Sequence, residues 1–243
     1  MTTRIFQSIP LSPNALITLD EQASHHLARV LRCQQGELVV IFNGQGGEYT
    51  GKIVEIGKKQ VTVQLHAYTD ADVESPLDIW LAQGISRGEK MDYTIQKAVE
   101  LGVNKIIPLF TERCNVKLDS ERSEKRLQHW QSIVISACEQ SGRNRVPEVI
   151  MPQTLKSWVV NVDASHRFVL SPYAVNKLKN QTISVADRVI LLMGPEGGLS
   201  ENEIEYASAH DFLPLNLGPR ILRTETAAVA AITALQCQFG DMG

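Results

Sequence analysis

The stretch from residue 188 to residue 226 constrains this chain most. An apolar run, Arg188-Val-Ile-Leu-Leu-Met193, ends in Gly194-Pro195-Glu196-Gly197-Gly198. Ser200 and Glu203 follow with the S-x-x-E spacing of a capping box, so a helix starts there. A second unit of the same design comes next. Phe212-Leu-Pro-Leu-Asn-Leu217 runs into Gly218-Pro219-Arg220-Ile-Leu-Arg223-Thr-Glu-Thr226, then an alanine-rich helix to about Phe239. Two strand–turn–helix units in tandem set two backbone-lined loops at one end of a sheet. In open α/β sheets that end is where ligands bind.

The chemistry of the loops narrows the ligand. Glycine there signals a positive φ or a close approach of backbone to a bound molecule. A phosphate is the first thought, because backbone N–H groups at a helix start attract anions. The chain has neither G-x-x-x-x-G-K-[ST] nor G-x-G-x-x-G, and Glu196, Glu201 and Glu203 crowd the turn and helix start. A neutral or cationic ligand that takes backbone hydrogen bonds fits better. A tight crossover with no ligand explains one such loop equally well. A second loop, carrying Arg220, Arg223 and Glu225, weighs against that.

Upstream, residues 1–70 read as a small β-rich domain, 71–76 as a linker, and 77–243 as an α/β domain with a mostly parallel sheet. In the first domain Asp20 is placed to cap a short helix carrying Leu27, Val30 and Leu31 and ending by Gly36. Three strands follow, at Glu37–Phe42, Tyr49–Ile56 and Gln60–His66. From Leu77, strands at 77–83, 105–110, about 148–151 and 167–170 alternate with helices at 88–101, 120–141 and about 153–161. The helix after Gly88 turns Met91, Ile95, Ala98 and Val99 inward, and the long helix does the same with Leu127, Trp130, Val134 and Ala137.

Composition excludes several classes. Net charge is −3, which argues against a simple basic RNA-binder; residues 87–145 hold a small local excess, eleven Lys/Arg against eight Asp/Glu. The four cysteines are scattered without a C-x-x-C, which fits reduced, cytoplasmic thiols and offers no metal site; Cys138 and Cys237 fall in helical patterns and read as core. No run approaches a membrane span, and Met1-Thr-Thr-Arg-Ile-Phe6 has no signal-peptide character.

Gly194-Pro-Glu-Gly-Gly-Leu-Ser200 and Leu217-Gly-Pro-Arg-Ile-Leu-Arg-Thr-Glu-Thr-Ala227 resemble the two cofactor-loop motifs of the SPOUT class of RNA methyltransferases. Ser86-Arg-Gly-Glu-Lys90, Gln96-Lys-Ala-Val-Glu-Leu-Gly102 and Glu139-Gln-Ser-Gly-Arg-Asn-Arg-Val-Pro147 extend the resemblance over nearly the whole chain. They are similar to the family that methylates N3 of a uridine in 16S ribosomal RNA, in the decoding region of the small subunit. The resemblance implies an N-terminal PUA-like RNA-binding barrel and a C-terminal SPOUT domain with a trefoil knot. It also implies S-adenosylmethionine held in the knot, a homodimer joined through the last helix, and no metal. Periodicity alone gives no sign of a knot, since chains as a rule do not thread loops.

By the same resemblance three loops hold the cofactor. They supply Leu170 and Ser171, then Met193, Gly194, Pro195, Glu196 and Gly197, then Leu217, Gly218, Leu222, Arg223 and Thr224. Uracil N3 is a poor nucleophile while protonated, so the reaction needs a base and a group that stabilises negative charge on the pyrimidine oxygens. Arg223 is the first choice for the second role; Glu225 or Glu196 offers the base. Glu225 also falls in a first helical turn, where a carboxylate is stabilising anyway. Arg29, Arg32, Arg87, Arg143 and Arg145 are the expected RNA contacts, with Arg29 and Arg32 three apart on one helix face. A solvated helix face accounts for the first pair, and helix-terminal electrostatics for the last pair, without RNA. Ribose 2′-O-methylation by a related SPOUT enzyme, a silent RNA-binding assembly factor, and a non-RNA nucleotide-binding protein are the competing functions.

Overall fold

The computed structural model describes residues 2–116 and 119–243. The chain falls into two compact units, Met1–Glu74 with Cys138–Val146, and Ser75–Ala137 with Pro147–Gly243. A single cut at 71–76 therefore misses a second segment, 138–146, that belongs with the N-terminal unit.

The first unit contains β1 (Thr3–Phe6), β2 (Leu16–Thr18), α1 (Glu21–His25), β3 (Leu38–Phe42), β4 (Glu48–Ile56) and β5 (Val61–Thr69). They form a five-stranded sheet in the order β1-β3-β4-β5-β2. The β3–β4 and β4–β5 pairs are antiparallel and β1 runs parallel to β3. Ile5, Val39, Ile41, Ile53, Val63 and Leu65 fill its core. Asp20 caps α1 as expected, accepting from the Ala23 N–H at 2.8 Å. The helix then widens into a π-turn over His26–Val30, and Arg32 takes a left-handed φ of 54°. That change of winding breaks the expected face. Leu27 is buried, Val30 and Leu31 are exposed, and Arg29 and Arg32 do not share a helical stripe.

Segment 138–146 is fastened to this unit by buried polar groups. The Glu74 carboxylate accepts from Arg143 Nε at 2.7 Å and from the backbone N–H groups of Asn144 and Arg145 at 3.1 and 3.0 Å. Its Oε2 also lies 2.6 Å from an Arg143 terminal nitrogen. Arg4 pairs with Glu48 and donates to Gly142 O and Asn144 Oδ1. Arg143 is only 3% exposed, so its expected RNA contact is corrected to a structural one. Burial pushes the Cys138 thiol up to about 12, in keeping with its core position. Cys237, expected in the core too, is exposed.

The second unit contains β6 (Asp78–Gly84), α2 (Glu89–Glu100), β7 (Lys105–Phe110), α3 (Ser120–Ser141, whose last turn joins the first unit), β8 (Glu148–Val149), β9 (Gln153–Thr154) and α4 (Leu155–Val159). It continues with β10 (His166–Leu170), β11 (Asn176–Lys177), β12 (Arg188–Met193), α5 (Glu201–Ser208), β13 (Leu213–Asn216) and α6 (Thr224–Phe239). The sheet runs β11-β13-β10-β12-β6-β7-β8, with β9 also on β7, and every pair is parallel. Strands covered on both faces need apolar residues at every position. Val189 through Met193 are accordingly all buried. The inward faces of α2 and α3 are as the periodicity predicts, with Leu127 only half-buried. No helix among the described residues is long and apolar enough to cross a membrane.

Candidate cofactor site

Sheet order explains how loops far apart in sequence meet. β13, β10, β12 and β6 are successive neighbours, and parallel strands deliver their C-terminal ends to one edge. The loops after β10, β12 and β13 line a cavity of about 420 Å³. Leu170 and Ser171 come from the first loop, Met193 through Gly197 from the second, and Leu217, Gly218, Leu222 and Thr224 from the third. The remaining expected cofactor residue, Arg223, stands at the N-terminal end of α6 without lining the cavity.

The loops are fixed by one another. Gly194 packs backbone to backbone: a Cβ there would fall 2.5 Å from Gly198 C and Leu199 N. Gly84, at the end of β6, touches the same loop, where a Cβ would fall 2.6 Å from Pro195 Cδ. Pro195 O accepts from Gly198 N–H at 2.9 Å, closing a tight turn in which Gly198 takes φ 69°. Asn216 ties the first loop to the third, donating to Pro172 O and accepting from Gly218 N–H.

The acidic residues of the turn have distinct jobs. Ser200 and Glu203 form the expected capping box. Glu203 is 2% exposed, and its carboxylate accepts from Ser200 N–H at 3.0 Å and Glu112 N–H at 2.8 Å. Glu196 lines the cavity but accepts from Arg87 N–H at 2.9 Å and lies 3.9 Å from Lys90 Nζ. That engagement makes it a brace for the β6–α2 loop rather than a free base. Glu225 also stays outside the lining; its Oε2 is buried without a hydrogen-bond partner among the described residues.

Sequence reasoning missed Arg113, Tyr173, Ile204 and Ile221, which also line the cavity. Arg113 follows β7, donates to Gly197 O at 3.0 Å, and belongs to no local motif that announces the contact. Arg220 and Arg223 are exposed, and neither guanidinium is engaged in an ion pair or hydrogen bond among the described residues. Arg29, Arg32, Arg87 and Arg145 are exposed as an RNA contact requires, and Arg143 is not.

Comparison with known proteins decides the family. A model described as an RNA methyltransferase domain matches residues 73–236, and one described as an RNA methyltransferase PUA domain matches residues 19–65. Ribosomal RNA small subunit methyltransferase E of Buchnera aphidicola subsp. Schizaphis graminum is 41% identical over 240 residues, 98% of this chain and 97% of that protein. The chain belongs to this methyltransferase family. The Bacillus subtilis member is 30% identical over 96% of this chain and 93% of its own length. A solved Neisseria gonorrhoeae member, bound to S-adenosylmethionine, superposes with TM-score 0.93 at 37% identity and complete coverage of both chains. A Legionella pneumophila methyltransferase with the same cofactor superposes with TM-score 0.96 at 44% identity, covering 99% of each chain. The expected architecture, a PUA-like unit followed by a SPOUT α/β unit, is thereby established.

Proposed function

We propose that the cavity holds S-adenosylmethionine and that the chain transfers its methyl group to N3 of a uridine in 16S ribosomal RNA. The observation that carries this is the convergence of three strand-end loops on one cavity, in a chain that matches cofactor-bound relatives from end to end. A cavity edged by backbone groups and apolar side chains suits adenine and a thioether chain. The acidic Glu196 and Glu201 in its wall suit a sulfonium and disfavour a nucleotide phosphate.

The reaction is an in-line displacement. The N3 lone pair forms a bond to the methyl carbon as the carbon–sulfur bond breaks, and the sulfonium leaves as a neutral thioether. The N3 proton must pass to a base. Glu196 lines the cavity but accepts from Arg87 N–H, whereas Glu225 keeps one carboxylate oxygen without a partner among the described residues but stays outside the lining, so these two glutamates are the candidate bases. Negative charge left on the pyrimidine oxygens needs a cation. Arg223 stands at the start of α6 between two cavity residues, with its guanidinium unengaged. Arg29, Arg32, Arg87 and Arg145 serve RNA binding, and a second copy of the chain packs on α6, whose alanines permit close approach. Light scattering at micromolar concentration should give the dimer mass; a monomer mass contradicts that pairing.

Arg223→Ala separates catalysis from binding. Removing one stabiliser of transition-state charge costs about 100- to 1,000-fold in turnover. Single-turnover assays should show that loss, while calorimetry finds cofactor affinity unchanged. Lost cofactor affinity would move Arg223 from catalysis to binding.

A further inference from the structure

Gln83, the penultimate residue of β6, belongs to none of the motifs above, yet it sits where the cofactor loops meet. Its side chain is fully buried beside Met193, its register partner on β12. Its Nε2 lies 3.0 Å from Gly194 O, 3.0 Å from Thr224 Oγ1 and 2.9 Å from Gly84 O, so its two N–H groups are shared among three acceptors. The Thr224 hydroxyl itself donates to Gly194 O at 2.7 Å, so it accepts from Gln83. Two of the three partners are carbonyl oxygens, which fixes the amide with its NH₂ toward them. Oε1 is left buried with no hydrogen-bond partner among the described residues. A burial site that orphans an acceptor is poorly served by glutamine as packing; a methionine of the same length would fill it without that cost. The donors are what the position requires.

We propose that Gln83 is a positioning residue of the methyl-donor site. Its carboxamide holds the Gly194 peptide and the Thr224 hydroxyl together, and so closes the β12–α5 loop against the β13–α6 loop around the cofactor. Gly194 and Thr224 both line the cavity, whereas Gln83 does not. It acts on the cofactor only through them. The inference rests on the reading of the cavity as the S-adenosylmethionine site.

The test compares two buried glutamines of the same unit. Gln236 is equally buried, accepting from Ser75 Oγ and donating to Leu101 O at 2.8 Å each, but neither of these partners lines the cavity. Gln83→Met and Gln236→Met are measured for melting temperature, S-adenosylmethionine Kd by calorimetry, and kcat and KM on small ribosomal subunits. Gln83→Met should raise Kd and the cofactor KM about tenfold or more, the equivalent of one lost hydrogen bond, with kcat at saturating cofactor largely retained. Gln236→Met should lower the melting temperature and leave Kd unchanged. Thr224→Val probes the same network without touching Gln83, and combining it with Gln83→Met should raise Kd by less than the product of the single effects. An unchanged Kd in Gln83→Met, or Kd changes that follow melting temperature equally in both glutamine variants, would overturn the proposal. The wild-type chain is titrated first. Its failure to bind S-adenosylmethionine would sink the reading of the cavity itself, whereas wild-type binding with an indifferent Gln83→Met sinks only the role of Gln83.

Discussion

Gly194→Ala is expected to weaken S-adenosylmethionine binding more than 100-fold while Gly197→Ala weakens it less than about tenfold. The difference comes from what each new methyl group meets. At Gly194 it meets Gly198 C and Leu199 N at 2.5 Å, so the turn itself must move. Overpacking costs about 1–3 kcal/mol, and the upper end applies where the obstacle is backbone; about 3 kcal/mol is more than 100-fold in Kd. At Gly197 the methyl meets Arg113 Cβ at 3.1 Å, with Arg113 Cδ and the Arg113 carbonyl oxygen at 3.6 Å, so a shift of a few tenths of an ångström suffices where Gly194 demands far more. Calorimetry on both variants decides it. Near-normal binding by Gly194→Ala, or a larger loss at Gly197, would show that the turn's backbone does not shape the site.

The second large effect falls on stability. Glu74→Ala removes the carboxylate that accepts from Arg143 and from the N–H groups of Asn144 and Arg145, within a pocket that leaves Arg143 only 3% exposed. Breaking a buried ion pair by deleting one partner costs about 3–5 kcal/mol, and here the Arg143 charge and two backbone donors lose this acceptor together. Urea unfolding should show that loss, and hydrogen exchange should show protection vanishing at the Asn144 and Arg145 amides. A loss below about 1 kcal/mol would match an exposed pair and contradict the burial.

The same network shows where the sequence stopped being informative. Arg143 and Arg145 are alike in sequence, both just past a helix and both basic. Arg143 turns its guanidinium onto the distant Glu74 and is buried, whereas Arg145 meets the same carboxylate through its backbone N–H and is exposed. Local signals were reliable where the cause was local. The capping box at Ser200 and Glu203, the stop at Gly142 with its φ of 89°, and the apolar faces of α2 and α3 all formed as spacing predicts. β1 was missed because its stabilising partner, β3, lies more than thirty residues on and runs parallel to it. β2 and β11, three and two residues long, are too short to carry a period. The π-turn after α1 undid the pairing of Arg29 with Arg32, since face arguments assume a constant winding.

At the site, the glycines and flanking residues of the second and third loops were legible because a turn of that shape dictates its own sequence. Gln83 and Arg113 were not, because their roles depend on strand neighbours that only the sheet order reveals. Glu196 was legible as a cavity residue but not as a brace, for the Arg87 N–H it engages comes from the loop after another strand.

The most direct test of the proposed function is methyl transfer from labelled S-adenosylmethionine to small ribosomal subunits lacking the modification, followed by nucleoside chromatography. The account predicts label in 3-methyluridine from 16S RNA. Label in a 2′-O-methyl nucleoside would keep the cofactor and contradict the target atom. No label, from a chain shown separately to bind the cofactor, would contradict the proposed reaction on small subunits.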